Sequence, residues 1–268
     1  MVISPDDPRL APYRALTDPA ALRAQGLFVA EGRMVVRRLV DASPFRVHSL
    51  LVTTAAREAL TDLLPRLPDE APVLVIAQEA MNEVAGFNIH RGCLALAYRT
   101  ALAGLDTINL AACRRLLVLE GVNNPDNVGG LFRNAAAFGV DAVVLGPNCG
   151  DPLYRKAIRT SMGGALEVPF VDAGAWPDAL DRLAAAGVRV IALTPGAGVP
   201  ALDELPAAHG PLALLVGAEG EGLTAAALAA ARERARIPMA ARLGSVNVAT
   251  AAAIGLYHFA DRTAAKPR

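Results

Sequence analysis

Short apolar runs alternate with segments in which apolar residues recur every three or four positions. In the first third of the chain this pattern predicts strands and helices in alternation. The predicted strands are LFVAEG (27–32), VHSLLVT (47–53), PVLVIA (72–77) and CLALAYR (93–99). The predicted helices are DPAALRAQ (18–25), RMVVRRLVD (33–41) and AAREALTDLLPRL (55–67). Residues 1–98 are therefore expected to form a small α/β domain with its own core.

A mixed stretch at 99–113 is predicted to be a linker, and a second alternation fills 114–268. The predicted strands are RLLVLEGV (115–122), AVVLG (142–146), VRVIALT (188–194) and LALLVG (212–217). Helices are predicted over 128–138, near 153–163 and 176–186, from Thr224, and from about Val246. Strands that alternate with helices indicate an α/β fold with a mostly parallel sheet covered on both faces.

The length of the chain favours two domains, and its net charge does not indicate a particular binding partner. The chain has 268 residues, which favours two domains. Acidic and basic residues balance at 26 each, so any nucleic-acid site must rest on a local patch. Lys156 and Lys266 are the only lysines. The arginine bias has two explanations, namely genome composition and phosphate binding, for which the guanidinium fork is well suited.

Cysteine usage and the N-terminus favour a cytoplasmic protein. Cys93, Cys113 and Cys149 form no CxxC pair, which fits a reduced compartment and no zinc site. The N-terminal residues lack the apolar core of a signal peptide, and no apolar run reaches the roughly 18 residues of a membrane span. The four histidines show no metal-ligand spacing. We therefore expect a soluble protein without a membrane or metal partner.

The stretch NNPDNVGGLFR (123–133) follows a predicted strand, where open α/β sheets bind ligands. Asn127 is predicted to cap a helix that begins near Val128. Arg133 follows six residues later and is expected to lean back towards the loop, because helical side chains tilt towards the N-terminus. Taken alone, this stretch is explained somewhat better by an ordinary capped helix with a solvated arginine.

Two further loops follow predicted strands. LLVGAEGEGLT (214–224) carries a glycine cluster before Thr224, which is predicted to cap the next helix. IPMAARLGSVNVATAAAIGLY (237–257) leads through a polar loop into a helix of small residues, suited to close packing on another helix or on a second subunit. Neither GxGxxG nor GxxxxGK[ST] occurs, which argues against an unrelated nucleotide-binding enzyme.

Together these stretches resemble the SPOUT superfamily of RNA methyltransferases, in its TrmH/SpoU branch of ribose 2′-O-methyltransferases. The first motif, N-x-G-x-x-x-R, is matched by Asn127, Gly129 and Arg133. The second, G-x-E-G-x-G, begins at Gly217. The third, I-P-M followed by S-x-N-V, begins at Ile237. IRTSMGGALEVPF (158–170) also looks like the family's R-x-S-x-G stretch.

The resemblance implies a fold that periodicity does not show. The second domain, 114–268, would be an α/β-knot methyltransferase domain with a trefoil knot and a mostly parallel sheet. The smaller N-terminal domain would be a ribosomal-protein-like α/β substrate-binding domain, matched by FVAEGRMVVRRLV and HRGCLALA. The protein would be a homodimer that binds S-adenosylmethionine and RNA, either rRNA or tRNA.

The resemblance also implies roles for particular residues. Catalysis would involve Arg133, Asn127, Glu219, Ser245 and Asn247. Cofactor binding would involve Thr194, Gly196, Val216, Gly217, Gly220, Ile237, Met239 and Val246. RNA binding would involve Arg155, Lys156, Arg159, Arg33 and Arg37. By family analogy Arg133 faces the target nucleotide, where we expect it to clamp the phosphate, because a guanidinium beside a phosphate stays charged. Asn127 would orient Arg133 or the ribose, and Glu219 would hold Arg133 or a group of the second subunit.

Two alternatives stay open at this point. The chain could be an RNA-binding protein that keeps the fold without catalysis, or a related enzyme that methylates a base. The intact set of motif residues argues against the first, and the motif-one asparagine and arginine favour ribose over base.

Overall fold

The computed structural model describes residues 2–196, 198–206, 210–240 and 244–260, and His209 lies outside these ranges. The chain divides into two compact units. The first contains the residues up to Ala101 together with Leu153–Glu167. The second contains Leu102–Pro152 and the described residues from Val168 onward. The segment 153–167, predicted within the second domain, therefore packs with the first unit.

The helices and strands follow one another along the chain in two alternating series. The strands are β1 (Leu27–Glu31), β2 (Val47–Val52), β3 (Val73–Val75), β4 (Cys93–Tyr98), β5 (Arg115–Glu120), β6 (Ala142–Leu145), β7 (Phe170–Asp172), β8 (Arg189–Leu193), β9 (Leu212–Gly217) and β10 (Glu233–Ala235). The helices are α1 (Ala11–Arg14), α2 (Pro19–Ala24), α3 (Arg33–Asp41), α4 (Thr54–Glu58), α5 (Gln78–Ala85), α6 (Pro125–Ala137), α7 (Arg155–Thr160), α8 (Gly164–Glu167), α9 (Asp178–Ala185), α10 (Ala225–Ala230) and α11 (Val248–His258).

The first unit is built on a four-stranded sheet in the order β1-β4-β2-β3. β4 pairs antiparallel with β1 and β2, and β2 pairs parallel with β3. One face of this sheet packs on α1 and α5 through a core that includes Leu10, Tyr13, Met81 and Val84. All four strands predicted for this part of the chain are present.

The second unit is built on a six-stranded sheet in the order β10-β8-β9-β5-β6-β7, in which every pair is parallel. This confirms the predicted α/β fold with a mostly parallel sheet. The central strands are buried along their length, as expected for a sheet with both faces covered. Helix α11 packs on α6 and on strands β8 and β9.

Two predicted helices differ from the structure. A helix is predicted over 55–67, but α4 ends at Glu58. The chain then continues through turns and a 3₁₀ segment, Leu64–Arg66. Pro65 lies in that segment, and proline disfavours α-helix at itself and at the residue before it. The helix predicted from Val128 begins at Pro125, because proline is favoured in the first turn and the Asn124 side chain accepts a hydrogen bond from the Asp126 amide. Asn124, rather than Asn127, is therefore the N-cap.

Five elements were not predicted: the helices α1, α5 and α8, and the strands β7 and β10. The two strands have only three residues each and lie at the two edges of the sheet. Their sequences, FVD and ERA, carry charged residues and too few positions to show a period. The predicted linker contains two 3₁₀ turns, Leu105–Thr107 and Leu110–Ala112.

Candidate active site

The loops that follow β8, β9 and β10 leave the second sheet at the edge that is formed by the carboxyl ends of its strands. These three strands are parallel neighbours, so their carboxyl ends coincide. At that edge the Thr194 amide donates to the Ala235 carbonyl at 3.0 Å. The predicted cofactor residues Thr194, Gly217 and Ile237 therefore lie in neighbouring loops at one edge of the sheet.

A hydrogen-bonded cluster joins the three sequence motifs. The Asn247 side-chain Nδ2 donates to Asn127 Oδ1 and to Glu219 Oε1, each at 2.8 Å. Asn127 belongs to α6 and Glu219 to the loop after β9, so residues 120 and 28 positions away from Asn247 meet at one amide. We call Asn127, Glu219 and Asn247 the amide cluster.

Asn247 also fixes the start of α11. Its Oδ1 accepts hydrogen bonds from the amides of Ala249 at 2.9 Å and Thr250 at 3.3 Å. The two ends of one side-chain amide thus have separate tasks, since the oxygen caps a helix and the nitrogen binds the cluster. A second bond from α6 to α11, in which Asn134 Nδ2 donates to the Ala249 carbonyl at 2.6 Å, holds the two helices in register.

Asn127 is buried, with 6% of its surface exposed. Because Asn124 caps α6, the Asn127 side chain is free to point from the first turn into the amide cluster. Among the described residues, no side-chain hydrogen bond joins it to Arg133. The prediction that Asn127 orients Arg133 therefore has no support within one subunit.

Arg133 lies in α6 with its side chain exposed to solvent. Among the described residues it has no hydrogen bond or ion pair, and Glu219 binds Asn247 instead. The guanidinium is thus available to an external anion. Ser245 is exposed as well, two residues before Asn247.

The loop after β9 is tight because of its glycines. A Cβ on Gly217 would lie 2.5 Å from the Gly222 carbonyl oxygen and 2.6 Å from the Leu223 amide nitrogen. The loop closes through a 3.0 Å bond from the Gly222 amide to the Ala218 carbonyl. Gly220 has a φ of +89°, in the region that favours glycine. The backbone at Gly220 is exposed, so it can face a ligand.

The remaining predicted cofactor residues differ in what they expose. Val216 is 1% exposed, so its side chain belongs to the core and only its main chain borders the loop. Met239 and Val246 expose 38% and 37% of their surface, which is large for apolar side chains. Thr194 is half-buried and Gly196 is exposed.

Glu120 is a buried carboxylate that the sequence analysis missed. It ends β5 with 3% of its surface exposed. Its two oxygens accept bonds from Trp176 Nε1 at 2.6 Å, the Thr224 hydroxyl at 2.7 Å and the Thr224 amide at 2.9 Å. Thr224 also caps α10, as predicted, so Glu120 anchors the end of the glycine loop. A glutamate as the last residue of an otherwise apolar strand, RLLVLE, was the available signal.

No thiol in this chain is suited to act as a nucleophile. Burial raises the pKa of Cys149, and it raises the pKa of Cys93 to about 12. Burial likewise raises the pKa of Cys113. All three cysteines are therefore protonated at neutral pH, and a thiolate is what nucleophilic catalysis requires.

The predicted RNA-binding arginines lie in the first unit. Arg155 Nη1 contacts Glu31 Oε2 at 2.9 Å, and its guanidinium stacks 3.9 Å from the centre of the Phe87 ring. Arg37 forms two bonds to Asp62, of 2.6 and 2.9 Å, which lower the pKa of that carboxyl. Arg33, Arg159 and the half-buried Lys156 complete the set, and the first two are exposed.

Two other kinds of site are absent from the described ranges. No group of three or more His, Cys, Asp or Glu side chains there is arranged to hold a metal ion. No helix among those residues is long and apolar enough to cross a membrane.

Comparison with known proteins defines the class. The chain belongs to the SpoU rRNA methylase family, whose model matches residues 114–257. An uncharacterised tRNA/rRNA methyltransferase of Mycobacterium tuberculosis is 45% identical over 262 residues, which cover 96% of this chain and 90% of that protein. This family membership confirms the resemblance to the TrmH/SpoU branch.

Two further relatives are informative. A 23S rRNA guanosine 2′-O-methyltransferase of Bacillus subtilis is 38% identical over 158 residues, or 59% of this chain and 62% of that protein. The crystal structure of an rRNA methyltransferase from Sinorhizobium meliloti with bound AdoMet superposes with a TM-score of 0.82 at 24% identity, over 99% of this chain and 98% of that one. The second likeness establishes the fold.

Proposed function

We propose that this protein is an S-adenosylmethionine-dependent RNA methyltransferase that transfers a methyl group to a ribose 2′-oxygen of rRNA or tRNA. The observation that carries the proposal is the amide cluster, which joins all three family motifs beside the edge where three loops leave the sheet. Family membership supplies the reaction class. The Bacillus relative is named for ribose 2′-O-methylation.

The loops after β8, β9 and β10 fit S-adenosylmethionine. Main-chain groups around Gly217, Gly220 and Ile237 are accessible for the polar parts of a nucleoside. Exposed Met239 and Val246 offer apolar surface that a bound adenosine would cover. When bound, the cofactor supplies a methyl group made electrophilic by a positively charged sulfur.

Arg133 binds the RNA rather than acting as a base in this proposal. A guanidinium remains protonated at physiological pH, so it is a poor proton acceptor. It is well suited to a bidentate grip on a phosphate and to stabilising negative charge that develops on the attacking oxygen. Its exposure and its lack of a partner in the described part of the chain leave it available for this task.

The amide cluster positions the ends of α6 and α11 around the reacting groups. Glu219 and Asn127 share one amide donor, so the three side chains hold one another in place. Ser245, exposed in the loop before α11, would border the methyl group and the hydroxyl in this proposal. Holding two reactants in the correct geometry accounts for up to about 7–11 kcal/mol of a barrier in ideal cases.

We further propose that the second unit is trefoil-knotted and that two subunits pair through α11. Helix α11, which follows the edge strand β10 in sequence, packs on β8, β9 and α6, and this packing supports a threaded C-terminus. On α11, Ile254 and Tyr257 expose 39% and 57% of their surface. Exposed apolar side chains on a helix of small residues favour a second subunit as their cover.

The first unit would be the RNA-binding part, with a ribosomal-protein-like fold and a cytoplasmic substrate. Its exposed arginines supply local positive charge in a chain of zero net charge. Phosphate contacts made by such residues predict RNA binding that weakens steeply with salt.

The test is incubation with S-adenosylmethionine labelled in the methyl group and total RNA from cells that lack this gene. The proposal predicts labelled RNA and unlabelled protein. Cofactor binding without transfer to any RNA would indicate the non-catalytic alternative, and neither binding nor transfer would refute the proposed function.

A further inference from the structure

The first unit contains a cavity of about 370 Å³ between the start of α3, the segment before β4 and the end of α7. Its lining includes Glu31, Met34, Val35, Arg91, Arg159 and Met162. We call it the Met162 pocket. Its volume falls in the range of about 300–1,000 Å³ that is typical of small-ligand sites.

Three apolar side chains contribute to the lining of the Met162 pocket, and we call them its apolar wall. Val35 is 7% exposed and belongs to the core, whereas Met34 exposes 44% of its surface. Met162 is half-buried. Thioether side chains are polarisable and adapt to flat rings, so this wall suits a planar, largely apolar group.

The backbone at Met162 indicates that its side chain is needed there. Its φ is +54°, in the left-handed region, just after the end of α7. The Gly163 amide donates to the Ile158 carbonyl at 2.9 Å. In helices that end with this bond, the residue before the donor has a left-handed backbone and is commonly glycine. Met162 occupies that position here. A methionine in the place that favours glycine is strained, and such strain is retained mainly at functional positions.

Neighbouring bonds hold this strained residue in place. The Met162 amide donates to the Arg159 carbonyl at 3.0 Å. Ser161 is buried, and its hydroxyl donates to the Ile158 carbonyl at 2.9 Å and accepts from the Ala165 amide at 3.2 Å. The wall is therefore fixed by the link between α7 and α8 rather than by the side chain alone.

The rim of the Met162 pocket is positively charged. Arg91 and Arg159 are exposed and have no ion-pair partner among the described residues. Glu31, the carboxylate in the lining, is only 11% exposed and is neutralised by Arg155 at 2.9 Å. Two available guanidinium groups beside an apolar wall match a ligand with a flat ring and an anionic group.

We propose that the Met162 pocket binds one unpaired nucleotide of the RNA substrate. Its base packs on Met34 and Met162, and its phosphate lies between Arg91 and Arg159. Sequence-tolerant recognition of single-stranded RNA commonly combines a surface on which a splayed base packs with a basic groove for the backbone. The identity of the ligand as RNA rests on the proposed function.

The experiment measures binding of a short fluorescein-labelled single-stranded RNA of mixed sequence to the full chain by anisotropy, without S-adenosylmethionine. Met162→Gly removes the wall and relieves the left-handed strain. We expect its Kd to rise about fivefold or more while the unfolding midpoint stays the same or increases. Met34→Ala, at an exposed position, gives a second measure of the wall with little risk to folding.

The rim is tested with the double variant Arg91→Ala/Arg159→Ala, which we expect to weaken binding and to flatten its salt dependence. The matched control is Arg23→Ala, an exposed arginine of α2 outside the pocket, which should change the Kd by less than about twofold. A perfect duplex of the same sequence should bind more weakly than the single strand.

Unchanged affinity in Met162→Gly and Met34→Ala would overturn the proposal, and so would equal losses in the Arg23 control and the rim variant. Because the assay contains no cofactor, it is independent of methyl transfer. Failure of transfer with intact, pocket-dependent RNA binding would count against the proposed function alone, and transfer with pocket-independent binding would count against the pocket alone.

Discussion

At the scale of single residues, the site depends on one side-chain amide with two tasks. Asn247 caps α11 through its oxygen and joins Asn127 to Glu219 through its nitrogen. The sequence identified all three residues through motif resemblance, but their mutual bonds span up to 120 positions and have no local signature. The wrong assignment of Asn127 as N-cap has the same origin, because Asn124 and Asn127 are both acceptable caps in sequence.

Separating the two tasks of Asn247 gives the first prediction. Serine can cap a helix, whereas alanine cannot, and neither reaches Asn127 and Glu219 as a donor. We expect Asn247→Ser and Asn247→Ala both to lower methyl transfer at least about tenfold, and only the alanine variant to lose about 0.5–2 kcal/mol of folding stability. Methyl-transfer rates and urea unfolding of both variants check this, and an active Asn247→Ser variant would contradict it.

Arg133 gives the second prediction. Its side chain is exposed and has no partner among the described residues, so its removal costs little stability. We expect Arg133→Ala to reduce methyl transfer by about 10²–10³-fold with unchanged S-adenosylmethionine affinity. The control is Arg182→Ala, an exposed arginine of α9. Equal rates in the Arg133 variant and the control, measured with saturating cofactor, would remove Arg133 from the mechanism.

At the scale of elements, the long apolar strands of the second sheet were predictable, and its two short edge strands were not. Strands β5 and β9 have six residues each, nearly all buried, whereas β7 and β10 have three. Three residues cannot display a period of two, so β10 owes its place to pairing with β8. The glycine loop after β9 was predicted from its amino-acid sequence. Its anchor could not be predicted in this way, because Glu120 lies more than a hundred positions earlier in the chain.

The glycine loop gives the third prediction. A Cβ at Gly217 would overlap the backbone of Gly222 and Leu223, which cannot move aside as a side chain can. We expect Gly217→Ala to weaken S-adenosylmethionine binding at least tenfold, with a stability loss of about 1–3 kcal/mol. Gly244→Ala is the control for stability, since a Cβ there meets nothing within 4 Å. Calorimetric titration decides the matter, and wild-type affinity in Gly217→Ala would show that the loop does not shape the cofactor site.

At the scale of the whole molecule, alternation of strands and helices predicted two α/β parts, and the family resemblance added what periodicity lacks. The segment 153–167 shows the limit of reading domains along the chain. It follows β6 in sequence but packs with the first unit, where Arg155 pairs with Glu31 and stacks on Phe87. Hydrophobic periodicity over a short stretch of sequence cannot predict long-range contacts of this kind.

Pairing of two subunits gives the fourth prediction. Ile254 is exposed on α11, and a glutamate there would place a charge in the proposed interface. We expect light scattering to give the molar mass of a dimer for the wild-type chain. The Ile254→Glu variant should shift the equilibrium towards monomer and lose activity. Ala229→Glu, on an exposed position of α10, is the control. A monomeric wild-type chain with full activity would contradict the pairing.

The central claim is transfer of a methyl group to a ribose oxygen in a site held together by the amide cluster. The most direct measurement is nucleoside analysis by mass spectrometry of RNA that the protein has methylated with an isotopically labelled cofactor. Our account predicts that the label resides in a 2′-O-methylated nucleoside and remains with the sugar when the glycosidic bond breaks. Label that stays with the free base would contradict it.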